Sequence, residues 1–282
     1  MIKQPDLSAY KQEIADLYSE RSAAYDSSDW HLRIAHRLVD YGQIKSGQRI
    51  LDIATGTGMA ALRAAQIAGP QGFIVGIDIS AGMLEQAKKS ARALNLGNVE
   101  FQLADAEALE LPENSFDHLF CSSALIWMSD LRGALSHWYK FLKPGGRIGF
   151  HAFAETAFVG GIVLQGIVEK RGIPYSMSRP AGTAEKCRVI LHQSGFEMIE
   201  VRAEQDGGFI SQETAQAMWP GSAHPAPGQF PNPLSRLSPE QLRQVRAEFE
   251  NQLRALETVH GVWNDITTFY VSGRKPIGSV SL

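Results

Sequence analysis

Two observations predict a doubly wound α/β fold. Between residues 49 and 153, short apolar runs of strand length alternate with longer stretches of helical periodicity, and strand, helix, strand at this spacing means parallel pairing through right-handed crossovers. Where the first apolar run meets the next helical stretch stand two glycines, Gly56 and Gly58. A glycine turn at such a joint lets backbone approach a ligand closely.

Taken in order, Tyr10, Ile14, Leu17 and Tyr18 recur at helical spacing within 7–26, until the Ala-Tyr-Asp-Ser-Ser run breaks the pattern. A second helix over 30–41 has Leu32, Ile34, Ala35, Leu38 and Val39 as its buried side. Strands are expected at 49–54, 73–79, 99–103, 118–122 and 146–153, with helices at 59–67, 81–94 and 131–142 and an acidic, irregular connection over 105–114. Helices at 158–170 and 184–194 follow, then a strand at 198–203 after Gly195-Phe196. The segment 213–238 holds Trp219, His224, Phe230 and five prolines, too many for a regular element. An amphipathic helix over 239–258 places Leu242, Val245, Phe249, Leu253 and Leu256 on one side, and 267–272 reads as a last strand. The expected organisation is a helical cover at 1–45, an α/β core at 46–212, a lid at 213–260 inserted before the last strand at 261–275, and a tail at 276–282.

Composition narrows the function. Hydrophobic residues make up 44% and charged residues 20% of the 282, as in an ordinary globular protein. With 27 basic against 30 acidic residues the net charge is −3, so the bulk positive field that phosphate neutralisation uses is lacking and no nucleic-acid partner is expected. The two cysteines, Cys121 and Cys187, have neither disulfide-framework nor metal-ligand spacing. The N-terminus lacks the apolar region of a signal peptide, and no run approaches the ~18 consecutive apolar residues of a membrane span. A cytoplasmic protein with a small-molecule partner is the expectation; nothing in the sequence specifies an oligomer.

The informative stretch is Ile50-Leu-Asp-Ile-Ala-Thr-Gly-Thr-Gly-Met-Ala. Gly56, Gly58 and Ala61 also satisfy a dinucleotide pattern, and Asp78, about 20 residues on, suits a ribose in either a dinucleotide or S-adenosylmethionine (SAM). Asp52, at the end of the first strand, favours SAM, because a carboxylate there would hold the amino-acid end of SAM and repel a pyrophosphate. Asp105-Ala106, after the third strand, offers a carboxylate and a backbone N–H to the adenine edge.

Five blocks in order, Asp52-Ile-Ala-Thr-Gly-Thr-Gly, Gly76-Ile-Asp-Ile-Ser-Ala-Gly-Met-Leu, Ala104-Asp-Ala-Glu, Leu111-Pro-Glu-Asn-Ser-Phe-Asp and Leu142-Lys-Pro-Gly-Gly, resemble class I SAM-dependent methyltransferases. The resemblance is to the small-molecule branch that includes the quinone-biosynthesis enzymes. It implies a Rossmann-like seven-stranded sheet with the last strand antiparallel. It also implies SAM contacts from Asp52, Ala54, Thr55, Gly56 and Gly58, ribose binding by Asp78, and adenine contacts from Ile79, Met83, Asp105 and Ala106. Ser122 and Ser123 would meet the methionine end, with Tyr25 folded over the cofactor. The stretch Ala24-Tyr-Asp-Ser-Ser-Asp-Trp-His-Leu keeps only the Tyr-Asp start of the quinone enzymes' N-terminal segment, which leaves the acceptor open.

Methyl transfer from a sulfonium needs alignment more than a catalytic side chain. Among His31, His137, His151, His224 and His260, the best placed as general bases are His151, near the carboxyl end of the fifth strand, and His31. Trp30, Trp127, Trp219 and Phe230 are expected to line an aromatic or lipophilic acceptor site. A nicotinamide-dependent oxidoreductase and a non-catalytic SAM-binding protein are the competing readings.

Overall fold

The computed structural model describes residues 5–173, 180–219, 234 and 237–278. Helix α1 (Ala9–Arg21) starts on a Ser8 cap, and a 3-10 turn over Ser22–Ser27 joins it to α2 (Trp30–Gly42). The alternation then runs β1 (Arg49–Ile53), α3 (Met59–Ala68), β2 (Phe73–Asp78), α4 (Ala81–Ala93), β3 (Val99–Leu103), β4 (Phe116–Cys121), α5 (Leu131–Phe141) and β5 (Leu142–Phe153). It continues with α6 (Val159–Glu169), α7 (Ala184–Gln193), β6 (Glu197–Gln205), β7 (Gly208–Ile210), α8 (Gln212–Ala217), α9 (Pro239–Ala255), β8 (Val262–Asn264) and β9 (Thr267–Arg274).

Seven strands form one sheet in the order β3-β2-β1-β4-β5-β9-β6. The pairs β1 with β2, β1 with β4, β2 with β3 and β4 with β5 are all parallel. Strand β9 runs against β5: Lys275 pairs with Gly146 at one end and Thr267 with Ala154 at the other. The sheet is therefore mixed, with the last strand antiparallel as expected. The strand order reverses beside β1, between β2 and β4, the switch point at which open α/β sheets bind ligands.

By contacts the chain forms two compact units. The first comprises 1–152, 187–201 and 270–282 and the second 153–186 and 202–269. In the first unit, Ile50, Leu51, Ile53, Ile74, Ile77 and Phe150 are fully buried in central strands, the continuous apolar strand type that parallel sheets covered on both faces need. The second unit begins at Phe153 and so is larger than the lid expected over 213–260. It has its own core, in which Leu164, Ile167, Val168, Val245, Phe249 and Leu253 from α6 and α9 are wholly buried. Helix α9 begins on a Ser238 and Gln241 capping box with proline in its first turn.

Candidate active site

Strand β1 carries Asp52 between Gly76 of β2 and Phe120 of β4, and these neighbours leave it 1% exposed. Its Oδ2 accepts the Thr55 hydroxyl at 2.5 Å and the Ala61 N–H at 3.0 Å. Ala61 lies in the first turn of α3, so the carboxylate takes up one of the unpaired N–H groups there and stands at the positive end of the helix dipole. A Cβ on Gly76 would lie 2.8 Å from Thr55 Oγ1; glycine is what lets the hydroxyl reach. Oδ1 of Asp52 has no hydrogen-bond partner among the described residues. Burial pushes this acid up to about 7, against the hydrogen bonds from Thr55 and Ala61.

Asp78 closes the turn from the next strand. Its Oδ2 accepts the Gly56 N–H and its Oδ1 the Ser80 N–H, both at 2.8 Å. Burial raises its pKa and these backbone donors oppose the rise. The turn itself is left-handed at Ala54 (φ 51°), Gly56 (φ 57°) and Gly58 (φ 88°), and Ser123, beyond β4, has φ 60°. Two non-glycine residues in this region, both at strand ends facing the site, mark stored backbone strain. Gly58 packs inward, where a Cβ would lie 3.1 Å from Ala87 Cβ and 3.2 Å from the Phe101 ring. An added Cβ on Gly56 would meet nothing within 4 Å, so there is room above the turn.

Two cavities of the first unit meet at this turn. One, with about 740 Å³ of empty space continuous with solvent, is lined by Asp78, Ile79, Met83, Asp105, Ala106 and Trp127 among others. The second, about 360 Å³, is lined by Asp52, Thr55, Thr57 and His31. Tyr25, Ala54, Gly56, Ser122 and Ser123 line both. The structure thus brings together every expected cofactor residue except Gly58, which sits beneath the turn and lines neither cavity.

Helix α1 supplies lining that the sequence reading missed: Lys11, Ile14 and Tyr18. Their i, i+3, i+7 spacing puts them on one helix face, a signal present in the sequence but masked by the polar Lys11. Lys11 Nζ lies 2.9 and 2.7 Å from the two Asp105 oxygens and 2.8 Å from Glu107. Burial alone would lower the lysine's pKa, and the two carboxylates reverse that and raise it. The helix is docked by Ser19 on Ser80 at 2.8 Å and by close approach to Gly82, where a Cβ would lie 2.9 Å from Ser19 backbone. The following turn is tied to the glycine loop by Thr57 donating to Asp26 at 2.8 Å.

The histidines separate by environment. His31 stacks on Tyr25 with centroids 4.8 Å apart and meets the Trp30 edge; burial, then Arg21, lowers its pKa, which favours the neutral ring. His151 is 1% exposed and lines neither cavity. Its Nδ1 accepts the Ser123 N–H at 2.9 Å, which holds the strained residue. The ring expected as a base is thus buried at the carboxyl end of its strand and tied to the loop after β4. His137 is bonded to the Leu109 carbonyl and His260 lies beside Phe209. Trp127 lines the first cavity with Tyr18 edge-on at 5.9 Å. Trp219 is half-buried against the second unit's core, edge-on to Phe249. Phe230 and His224 lie outside the described residues. No group of three potential metal ligands occurs among the described residues, and no helix there is long and apolar enough to cross a membrane.

Residues 44–170 match the family model of a methyltransferase domain. The chain is 33% identical over 222 residues to the ubiquinone/menaquinone biosynthesis C-methyltransferase UbiE of Cronobacter sakazakii, covering 70% of this chain and 88% of that one. The chain belongs to the class I SAM-dependent methyltransferases, in their small-molecule branch. Within that family it is also 37% identical over 145 residues to the aklanonic acid methyltransferase DauC of a Streptomyces species, over 51% of this chain and 66% of DauC. The fold is shared with Haemonchus contortus phosphoethanolamine N-methyltransferase 2 solved with SAM, at TM-score 0.59 and 19% identity, over 96% of this chain and 61% of that one. The methyltransferase uses S-adenosylmethionine as cofactor.

Proposed function

We propose that this methyltransferase holds SAM across the Gly56 turn and passes its methyl group to a small aromatic or lipophilic acceptor by in-line displacement. The observation that carries the reading is the pair of cavities joined at Tyr25, Ala54, Gly56, Ser122 and Ser123. The first cavity has the chemistry for adenosine: Asp78 for the ribose hydroxyls, Ile79 and Met83 for the faces of the base, Asp105 and Ala106 for its edge. The second has the chemistry for the amino-acid end, since a buried Asp52 oxygen lacks a partner and suits an ammonium. The same carboxylate already takes the α3 N-terminus, where a pyrophosphate would meet negative charge. This argues against a nicotinamide dinucleotide.

When bound, SAM supplies a methyl group on a sulfonium that is electrophilic without further activation. The chain's work is then alignment at about 3 Å and exclusion of water. Tyr18, Tyr25 and Trp127 form the apolar wall, and burial raises the Tyr18 phenol to about 12, which keeps it uncharged. His31, neutral and stacked on Tyr25, is placed to accept the proton of a phenolic or enolic acceptor. His151 acts through Ser123 as a positioning residue.

The named acceptors of the relatives differ in chemistry, so the acceptor is to be found by screening quinones, phenols, indoles and amines with labelled SAM. Label transfer to an aromatic acceptor supports the proposal; transfer only to small hydrophilic amines overturns its acceptor class. For a phenolic acceptor, His31→Gln should lower kcat about 100-fold, the low end for a general base, and remove the acid limb of the pH profile. An unchanged profile assigns His31 to packing.

A further inference from the structure

The opposite end of the sheet holds a third cavity, about 790 Å³ of empty space continuous with solvent, lined by Lys45, Asp117, His118, Lys143, Arg147 and Arg274 along with glycines and neutral residues. Four cations and one carboxylate around one cavity stand out in a chain of net charge −3. The carboxylate is already used: Asp117 accepts Lys143 Nζ at 2.8 and 2.9 Å and the Arg49 N–H at 2.8 Å. Lys45, Arg147 and Arg274 have no carboxylate partner among the described residues. Arg274 is aimed by its Nε bond to the Gly145 carbonyl at 3.1 Å. A Cβ on Gly145 would stand 3.2 Å from its guanidinium, and φ there is +79°, so glycine keeps this wall open.

His118 is the second, independent sign of a ligand. It is 4% exposed, opposite Arg147 in the β4 and β5 register, and stacked over Phe120. Its ring nitrogens have no hydrogen-bond partner among the described residues. A nearly buried imidazole at a cavity wall, without a protein partner, wants one from the cavity.

We propose that this cavity is a binding site for a phosphate-class dianion, held by Arg147, Arg274 and Lys45 and completed by a hydrogen bond from His118. Arginine's planar fork can donate two hydrogen bonds to a pair of phosphate oxygens, and the three uncompensated positive charges suffice for a dianion. Burial, then Arg147, lowers His118 to about 4, with Asp117 opposing. A dianion among Lys45, Lys143, Arg147 and Arg274 reverses the local field and raises it. The site is independent of the methyl-transfer reading, since it shares no residue with the cavities at the Gly56 turn.

The test is calorimetry of the full chain with inorganic phosphate and, separately, with glycerol phosphate, together with NMR titration of the His118 ring. We expect saturable binding, a His118 titration moved upward by at least one pH unit with phosphate, and at least a tenfold loss of affinity in Arg147→Gln. S-adenosylhomocysteine (SAH) affinity should stay unchanged. Tighter binding of inorganic phosphate marks a free-ion site, and tighter binding of the ester marks the phosphate of a larger ligand; either supports the proposal. Absence of saturable binding by both probes, or equal binding by wild type and Arg147→Gln, overturns it. A circular dichroism check of Arg147→Gln separates a lost site from a lost fold, and Lys45→Gln, at an exposed position, gives a second variant.

Discussion

The two ends of one sheet carry opposite charge. At the carboxyl ends of β1 and β2, and just beyond β3, stand Asp52, Asp78 and Asp105, each placed to accept hydrogen bonds. Around the amino ends of β4 and β5 stand Lys143, Arg147 and His118, with Asp117 already paired. The same strands deliver both sets, because side chains at strand termini point past the sheet into the loops while the strand interiors are apolar. The acidic end uses its carboxylates to fix backbone as well as to face the cavity: Asp52 caps α3 and Asp78 holds Gly56. At the basic end Asp117 takes the Arg49 N–H and Arg274 the Gly145 carbonyl, while the side chains of Lys45 and Arg147 hold no backbone among the described residues. Shape at the acidic end therefore depends on the groups that would bind ligand.

The largest expected effect follows from this double role. Asp78→Asn should weaken SAH binding at least about 100-fold, since each hydrogen bond to a charged group is worth ~1.5–3 kcal/mol and two ribose hydroxyls are served. Calorimetry gives the number. Gly58→Ala should cost about 1–2 kcal/mol of stability from the left-handed backbone alone, more if Ala87 and Phe101 cannot move, read as a lower midpoint in urea. A wild-type midpoint would show that the turn is looser than its geometry.

At the acidic end the binding of SAH depends on pH. Asp52 has a folded pKa of about 7 against an ordinary 3.8, so in the free enzyme its contribution to stability is full below pH 3.8 and is lost as pH rises through about 7. A bound ammonium favours the ionised form. SAH affinity should then rise up to about tenfold from pH 6 to pH 8, with proton release on binding at pH 6, and Asp52→Asn should flatten both. The smallest effect belongs to the cover. Lys11→Met should speed SAH dissociation about threefold to tenfold, because the ion pairs are partly screened at 11–14% side-chain exposure, as stopped-flow fluorescence of the nearby Trp127 would report.

Much of this was legible in the sequence. Alternating apolar runs and the Gly56 to Gly58 joint specify parallel strands and the turn, and Asp52, Asp78 and Asp105 could be placed because each ends an apolar run. What could not be read depends on distance in space. Lys11 meets Asp105 across 94 residues, and nothing local in either stretch announces it. Strain at Ala54 and Ser123 is imposed by packing, since neither residue type favours φ above zero. Strands β7 and β8 have three residues each, too few for a period of two to show, and their pairing of Phe209 with Trp263 spans more than fifty residues. Nor does the place of His151 on its strand announce the ring's burial or the Ser123 N–H that its Nδ1 accepts.

The central claim, that the acidic end of the sheet is a SAM site, is tested most directly by calorimetry with SAH and NADH on the wild type and Asp78→Asn. The account predicts saturable SAH binding to the wild type, at least about 100-fold weaker in the variant, and no binding of NADH to either. Saturable NADH binding without SAH binding, or SAH affinity unchanged in Asp78→Asn, would contradict it.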